Sequence, residues 1–336
     1  MKNKFTNWLF FFFAASFLTS CVKDKCTRTY LFYEPVYKTT DEVRANIKSN
    51  APRKVERPGK LFILGNYIFL NETDRGVHVI DNANPANPKN VAFIDMPGNI
   101  DIAVKGNTLY ADAYTDLVTL DITNPLQVAV KSIKPNAFPF RYYSNGFRSD
   151  STKVIVDWVR KDTTVTVDCE RQGDLWGCRG CFMLASEDFS GLAKSATSSP
   201  FGAGVGGSMA RFSLVNNYLY VVSDAQLKVF SISTATDPQF IRQINLGWGI
   251  ETIYPFKDRL FIGSNTAMYI FGLQNPSFPN QISTFQHSRA CDPVIADDKY
   301  AYITVRSGTT CWNGPNQMYI VDITNLSAPS TVKTYP

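Results

Sequence analysis

Five charged residues recur at one place in a repeated pattern: Lys60, Asp101, Arg211, Glu251 and Asp292. Each stands nine or ten residues before an aromatic (Phe69, Tyr110, Tyr220, Phe261 or Tyr302) that closes a short apolar run. Only 19% of the chain is charged, so a charge at every such place is a pattern to explain. Carboxylates and cations gathered at one site could hold a polar ligand or ion. They could equally form a salt-bridge ring that satisfies polar groups around a wet channel, because partly buried charges find partners. Near them in sequence stand Trp248, His287 and Arg289, which extend the candidate ligand-binding set. The two histidines offer little for acid–base work: His78 sits inside an apolar strand and His287 in a connecting loop. No Ser-His-Asp order, phosphate loop or calcium loop is present, so no catalytic residues are assigned and no cofactor or metal is expected. Gly202 to Gly207 is glycine-rich, but no helix follows, and it reads as a flexible return.

The seven cysteines are the other reactive group. Setting Cys21 aside leaves Cys26, Cys169, Cys178, Cys181, Cys291 and Cys311, an even number that suits disulfides in an oxidising compartment. Cys291 and Cys311 are the favoured pair. Cys26 could pair with one of Cys169, Cys178 and Cys181, though sequence cannot fix the connectivity. Cys178-Arg179-Gly180-Cys181 has CxxC spacing but lacks a second CxxC, a nearby histidine and a βαβ setting, so structural bridges are preferred to metal or redox chemistry.

The elements that must position these residues repeat. Val77-His78-Val79-Ile80-Asp81 recurs as Leu117-Val118-Thr119-Leu120-Asp121, Leu227-Lys228-Val229-Phe230-Ser231, Met268-Tyr269-Ile270-Phe271-Gly272 and Met318-Tyr319-Ile320-Val321-Asp322. A turn-plus-strand phrase starts at residues 65, 106, 216, 257 and 298, so the steps are 41, 110, 41 and 41. The long step predicts a degenerate unit with an insertion at about residues 134–207. Within it, Lys153 to Val159 and Thr163 to Val167 read as a hairpin turning at Lys161-Asp162, and Cys169 to Pro200 as an excursion. Each unit reads as four strands. Proline falls seven residues beyond the phrase end at Pro88, Pro238, Pro279 and Pro329, with Val128 in the second unit. There it stops pairing, since it has no amide hydrogen and a fixed φ. Four-stranded units of about forty residues predict an all-β fold, a β-propeller of about five recognisable blades plus one degenerate. Inner strands line a propeller's channel, so the recurring charges would ring one mouth of it. After the last phrase the chain ends on a fourth strand, and the segment Thr29 to Tyr37 could supply a closing strand; otherwise the propeller is incomplete at its C-terminal end.

The phrases Val77 to Asp81, Leu120-Asp121-Ile122-Thr123-Asn124-Pro125 and Tyr319 to Asn325 resemble the LVIVD repeat. That resemblance implies a propeller-forming protein, secreted or lipid-anchored in bacteria, with no agreed activity to carry over. It covers about residues 58–133 and 208–336. Ser231 and Gly272 depart from the repeat's aspartate, which argues that this aspartate caps a turn and is not catalytic.

The N-terminus predicts where the protein resides. Lys2 and Lys4 precede a short apolar core, Trp8 to Leu18, too short to span a bilayer. Leu18-Thr19-Ser20-Cys21 resembles a bacterial lipobox, which implies cleavage after residue 20 and a lipid on Cys21. Residues 1–20 are then a lipoprotein signal peptide, 21–57 a tether with the possible closing strand, and 58–336 the propeller. Lys23-Asp24 resembles part of a surface-export signal, favouring the outer face of a Gram-negative outer membrane over its periplasmic face. The net charge of +5 includes both leader lysines and is too small to argue for nucleic acid. At 44% hydrophobic the chain can fill a large core. The partners expected are the membrane, through the lipid, and a protein or glycan of unknown identity. A lipid-anchored binding scaffold is the leading reading. A lyase or hydrolase acting on a polar substrate at the channel mouth is the alternative, and would need Asp101, Glu251 or Asp292 unpaired in a pocket. A structural partner in an envelope complex, the third reading, would need a large apolar patch on the rim.

Overall fold

A computed structural model of the protein describes residues 25–143, 146–168, 181–183, 210–288, 293–305 and 316–336. The chain opens with β1 (Lys25–Thr39), the helix α1 (Thr40–Ala45) and β2 (Lys48–Asn50). The first four-stranded unit is β3 (Pro58–Leu64), β4 (Tyr67–Glu72), β5 (Gly76–Asp81) and β6 (Lys89–Asp95). The second is β7 (Ile102–Lys105), β8 (Thr108–Ala113), β9 (Asp116–Asp121) and β10 (Ala129–Lys134). After β11 (Lys153–Asp168) and β12 (Cys181–Met183) come the remaining units. The third is β13 (Phe212–Val215), β14 (Tyr218–Ser223), β15 (Gln226–Ser231) and β16 (Gln239–Asn245). The fourth is β17 (Ile250–Phe256), β18 (Arg259–Ser264), β19 (Ala267–Gly272) and β20 (Asn280–Gln286). The fifth is β21 (Val294–Ala296), β22 (Tyr300–Val305), β23 (Gln317–Asp322) and β24 (Ser330–Tyr335).

Each unit is one antiparallel sheet with its strands in chain order, and β2 adds a fifth strand outside β6 in the first. The repeat's two faces explain the packing. Side chains alternate along a strand, so Leu109 and Ala111 of β8 pack toward the first blade, while Tyr110 packs toward the third. The apolar clusters therefore straddle neighbouring blades. One joins the first and second, the next the second and third through Phe212 and Phe230, a third the third and fourth around Leu260, and a fourth the fourth and fifth around Ile303. In the first four units the aromatic that ends the turn-strand phrase (Phe69, Tyr110, Tyr220 or Phe261) packs in the cluster shared with the following blade. The two tyrosines reach the next blade's outer turn: the Tyr110 hydroxyl donates to the Ala235 carbonyl (2.7 Å), and that of Tyr220 to Pro276 (2.8 Å). Buried phenols need such an acceptor.

The turns repeat as closely as the strands. In the first four units the inner hairpin has positive φ at its first turn residue, Gly65 (56°), Gly106 (54°), Asn216 (53°) and Lys257 (53°), which glycine adopts without steric cost. The outer turn is built on side-chain oxygens. Asp121 Oδ1 accepts from the Thr123 amide (2.9 Å) and hydroxyl (2.6 Å), and Asp322 does the same with Thr324. Asn84, Asn124, Asn275 and Asn325 each accept from the amide two residues on. The phrase-ending aspartate is thus a turn cap, as its replacement by Ser231 and Gly272 suggests. In all five sheets the outermost pairing skips one residue at the same place, leaving Val91, Lys131, Ile241, Ile282 and Val332 bulged. Such a bulge increases local twist and bends the outer strand.

Two expectations are corrected. Residues 153–168 form one continuous strand through Lys161 and Asp162, not a hairpin. The N-terminal strand β1 does not complete the last blade. It lies between β11 and β12 in a separate three-stranded sheet, with Phe32 opposite Cys181, so the described part of the insertion contributes strands to that sheet and not a sixth four-stranded blade. The chain divides into two compact units, residues 1–34 with 158–197 and residues 35–157 with 198–336. Within the second, α1 is held at its start by a capping box between Thr39 and Glu42. Arg44 clamps Asp116, at the β8–β9 turn, through both carboxylate oxygens (2.7 and 3.1 Å), so part of the expected tether is docked on the second blade.

Candidate functional site

Links from an outer strand to the next inner strand, and turns between second and third strands, fall on one face of a four-stranded meander. Asp101, Trp248 and His287 all lie in such links. Asp101 is fully buried. Its Oδ1 lies 3.3 Å from Lys60 Nζ and accepts from the Ile102 amide (2.7 Å). Its Oδ2 accepts from the amides of Arg211 (2.6 Å) and Phe212 (2.9 Å) on the third blade. Lys60 also donates to the Phe212 carbonyl (3.4 Å). One carboxylate therefore joins three consecutive blades. Burial raises its pKa, opposed by the Lys60 ammonium and the three amides.

The other expected residues are placed as follows. The Arg211 guanidinium reaches Asp224, an exposed partner, at 3.7 Å, and not a neighbouring inner-strand charge. Glu251 is half-buried, second in β17. Trp248 is 83% exposed in the link before β17. His287 follows β20, with Nδ1 2.8 Å from the Ser288 carbonyl and its ring tilted against Tyr319. Arg289, Asp292, Cys21, Cys169, Cys178, Cys291 and Cys311 lie outside the described residues. Cys26 and Cys181 lie on β1 and β12. The structure thus brings Lys60 and Asp101 together with the backbone of Arg211.

A larger polar network on the same face escaped the sequence reading. Asp112, buried in β8, accepts from the amides of Ile100 (2.8 Å) and Asp101 (3.0 Å) and from Asn99 Nδ2 (3.0 Å). Asn99 in turn accepts from Asn71. Arg141, just beyond the second blade, donates to Asp74 in the β4–β5 turn (2.5 Å) and to the Gly98 carbonyl, with Asp112 at 3.7 Å. Burial raises the Asp112 pKa, against Arg141 and the two amides. One signal could have revealed part of this: Asn71 and Asp112 hold the same repeat position, two residues after the aromatic. Arg141 lies outside any repeat, and only the fold places it. His78 is fully buried, with Nε2 3.0 Å from Glu72 Oε2 and Nδ1 3.1 Å from Asn90 Nδ2. Glu72 also accepts from the Arg57 (2.5 Å) and Glu56 (3.2 Å) amides. A histidine–carboxylate pair can move protons, but this one has no exposed atom to meet a substrate, so it braces the first blade. Among the described residues no cluster of three or more His, Cys, Asp or Glu side chains is placed to hold a metal ion.

Five antiparallel four-stranded meanders, packed blade on blade in chain order, define a β-propeller-like protein. The LVIVD repeat matches residues 59–94, 99–133, 206–245 and 289–336, so the chain carries the LVIVD repeat. The fourth blade, whose phrase ends on Gly272, lies outside the matched segments. The structure is similar to the crystal structure of a protein from Lactobacillus plantarum, with 11% identity, TM-score 0.52, and coverage of 92% of this chain and 82% of that one. Weaker likenesses are to BamB from Moraxella catarrhalis (10% identity, TM-score 0.40, coverage 76% and 58%) and to Kluyveromyces lactis Hsv2 (9%, 0.39, 84% and 88%). No curated protein matches the sequence.

Proposed function

We propose that this LVIVD repeat protein is a lipoprotein of the Gram-negative outer membrane that acts as a binding scaffold for a protein or glycan. The observation that carries the scaffold reading is the state of Asp101. The most buried of the described recurring charges is saturated by Lys60 and three amides from two blades, which is how a propeller braces itself and not how it poises an acid. Anchoring rests on Leu18-Thr19-Ser20-Cys21 behind a basic, apolar leader. Display outside the cell rests on Lys23-Asp24. The contact surface we propose is made of the links on the Asp101 face, where Trp248 stands exposed and His287 follows β20, with Arg289 expected from the sequence to join them.

The test begins with metabolic labelling by a palmitate analogue in a Gram-negative host. The wild type is expected to take up label and the C21S variant none; equal labelling ends the lipoprotein reading. Protease is then added to intact cells, with lysed cells as control. Digestion from outside is the expected result. Protection until lysis would overturn surface display and redirect the search for partners to the periplasm.

A further inference from the structure

Between the outer strands of the second and third blades lies a cavity of about 460 Å³. Lys134 and Ala137 line the second-blade side, and Lys228, Phe230, Pro238 and Phe240 the third-blade side. Strand alternation turns Lys228 and Phe230 of β15 toward the second blade. The residues at the Lys228 position in the first and second units are His78 and Val118, both fully buried; in the fourth and fifth they are Tyr269 and Tyr319. The third unit alone puts an aliphatic ammonium where the others put a ring or a branched chain.

That ammonium is poorly matched. Among the described residues Lys228 Nζ donates to one acceptor, the neutral Ala137 carbonyl (2.6 Å), and pairs with no carboxylate. Burial draws its pKa below the ordinary lysine value. Lys134, across the cavity, is by contrast paired with Asp237 (2.6 Å), which also accepts from Gln239 (2.6 Å). Apart from Asn136, Gln239 and the two lysines, the walls are apolar: Phe230 is buried and meets Phe240 edge-on at 5.7 Å, while Phe240 leaves 57% of its surface open.

We propose that this cavity binds a small organic carboxylate with an aromatic or aliphatic body, the anion on Lys228 and the body against Phe230, Pro238 and Phe240. A cavity of this size suits a small ligand, and Lys228, which has no carboxylate partner among the described residues, beside the apolar wall of Phe230, Pro238 and Phe240 would fix its orientation, since Lys134 is already paired with Asp237. The ligand carboxylate would give Lys228 the charge-assisted partner that the described residues do not. The site uses none of the Asp101-face residues, so it stands or falls independently of the scaffold reading and of where the protein is displayed.

The test is calorimetric titration of the full mature chain with 3-phenylpropionate and with octanoate, using 3-phenylpropionamide as the uncharged control. Saturable binding at one site is expected, with the amide and the K228M variant each weaker by about tenfold or more, as loss of a half-buried charge contact implies. F240A should weaken binding and leave the preference for carboxylate over amide intact. Affinity should fall at alkaline pH, starting below the ordinary lysine range. Because K228M removes a half-buried charge, its melting temperature should equal or exceed that of wild type; if that variant fails to fold, the amide control and the pH profile decide alone. No saturable binding, or equal binding by carboxylate and amide, would overturn the proposal.

Discussion

Asp101 shows how one side chain can be read two ways until its neighbours are known. In the sequence it is a charge at a recurring place, equally suited to a ligand and to a brace. In the structure its two oxygens accept three amides and sit beside an ammonium. Removing one partner of a buried ion pair is costly because the other is left uncompensated. D101A is therefore expected to cost about 3–5 kcal/mol in urea unfolding. K60M should cost clearly less, because the three amides still hold the carboxylate. Equal losses would show that the Lys60 charge, and not the amide cage, carries the brace. The recurring aspartates illustrate the opposite case, a role legible from sequence. Two of five units lack them, which excludes a shared catalytic part, and the oxygens at Asp121 and Asp322 accept from the threonine two residues on.

At the scale of the element, the same turn aspartates link the repeat to pH. The Thr123 hydroxyl, its amide and Lys131 pull the Asp121 pKa down from 3.8 to about 2, and Thr324 lowers that of Asp322 in the same way. A carboxylate with a depressed folded pKa contributes stability that is fully present above its unfolded value and is lost as pH falls through the folded one. Thermal stability should therefore decline as pH drops from about 4 toward 2. The decline should be shallower in the D121N/D322N double variant, measured by circular dichroism melts across that range. An unchanged slope would mean that other carboxylates govern acid unfolding. The repeated phrases were legible as strands almost to the residue: Val77 to Asp81 falls in β5, Leu117 to Asp121 in β9 and Leu227 to Ser231 in β15. The insertion was misread because Lys161-Asp162 looks like a turn by composition. Pairing with β1, more than a hundred residues away in sequence, keeps the strand extended through it.

At the scale of the propeller unit, stability resides between blades as much as within them, since every large apolar cluster straddles two sheets. Leu260, fully buried in β18, packs with Val222 and Leu227 of the preceding blade. L260A should cost about 2–5 kcal/mol. Hydrogen exchange should rise in β14 and β15 as well as in β18 and β19; faster exchange confined to the fourth blade would show that blades are energetically separate. By itself the sequence determined the repeat, the four-stranded unit and the capping role of its aspartates. All of these are local: periodicity, proline position and turn oxygens act within about forty residues. Only the tertiary structure decided that Asp101 is a brace, that Arg141 closes a network with Asp74 and Asp112, that β1 joins β11 and β12, and that Lys228 opens into a cavity. Each of those depends on residues far apart in the chain, and no local pattern encodes which distant group will supply a partner or leave one wanting.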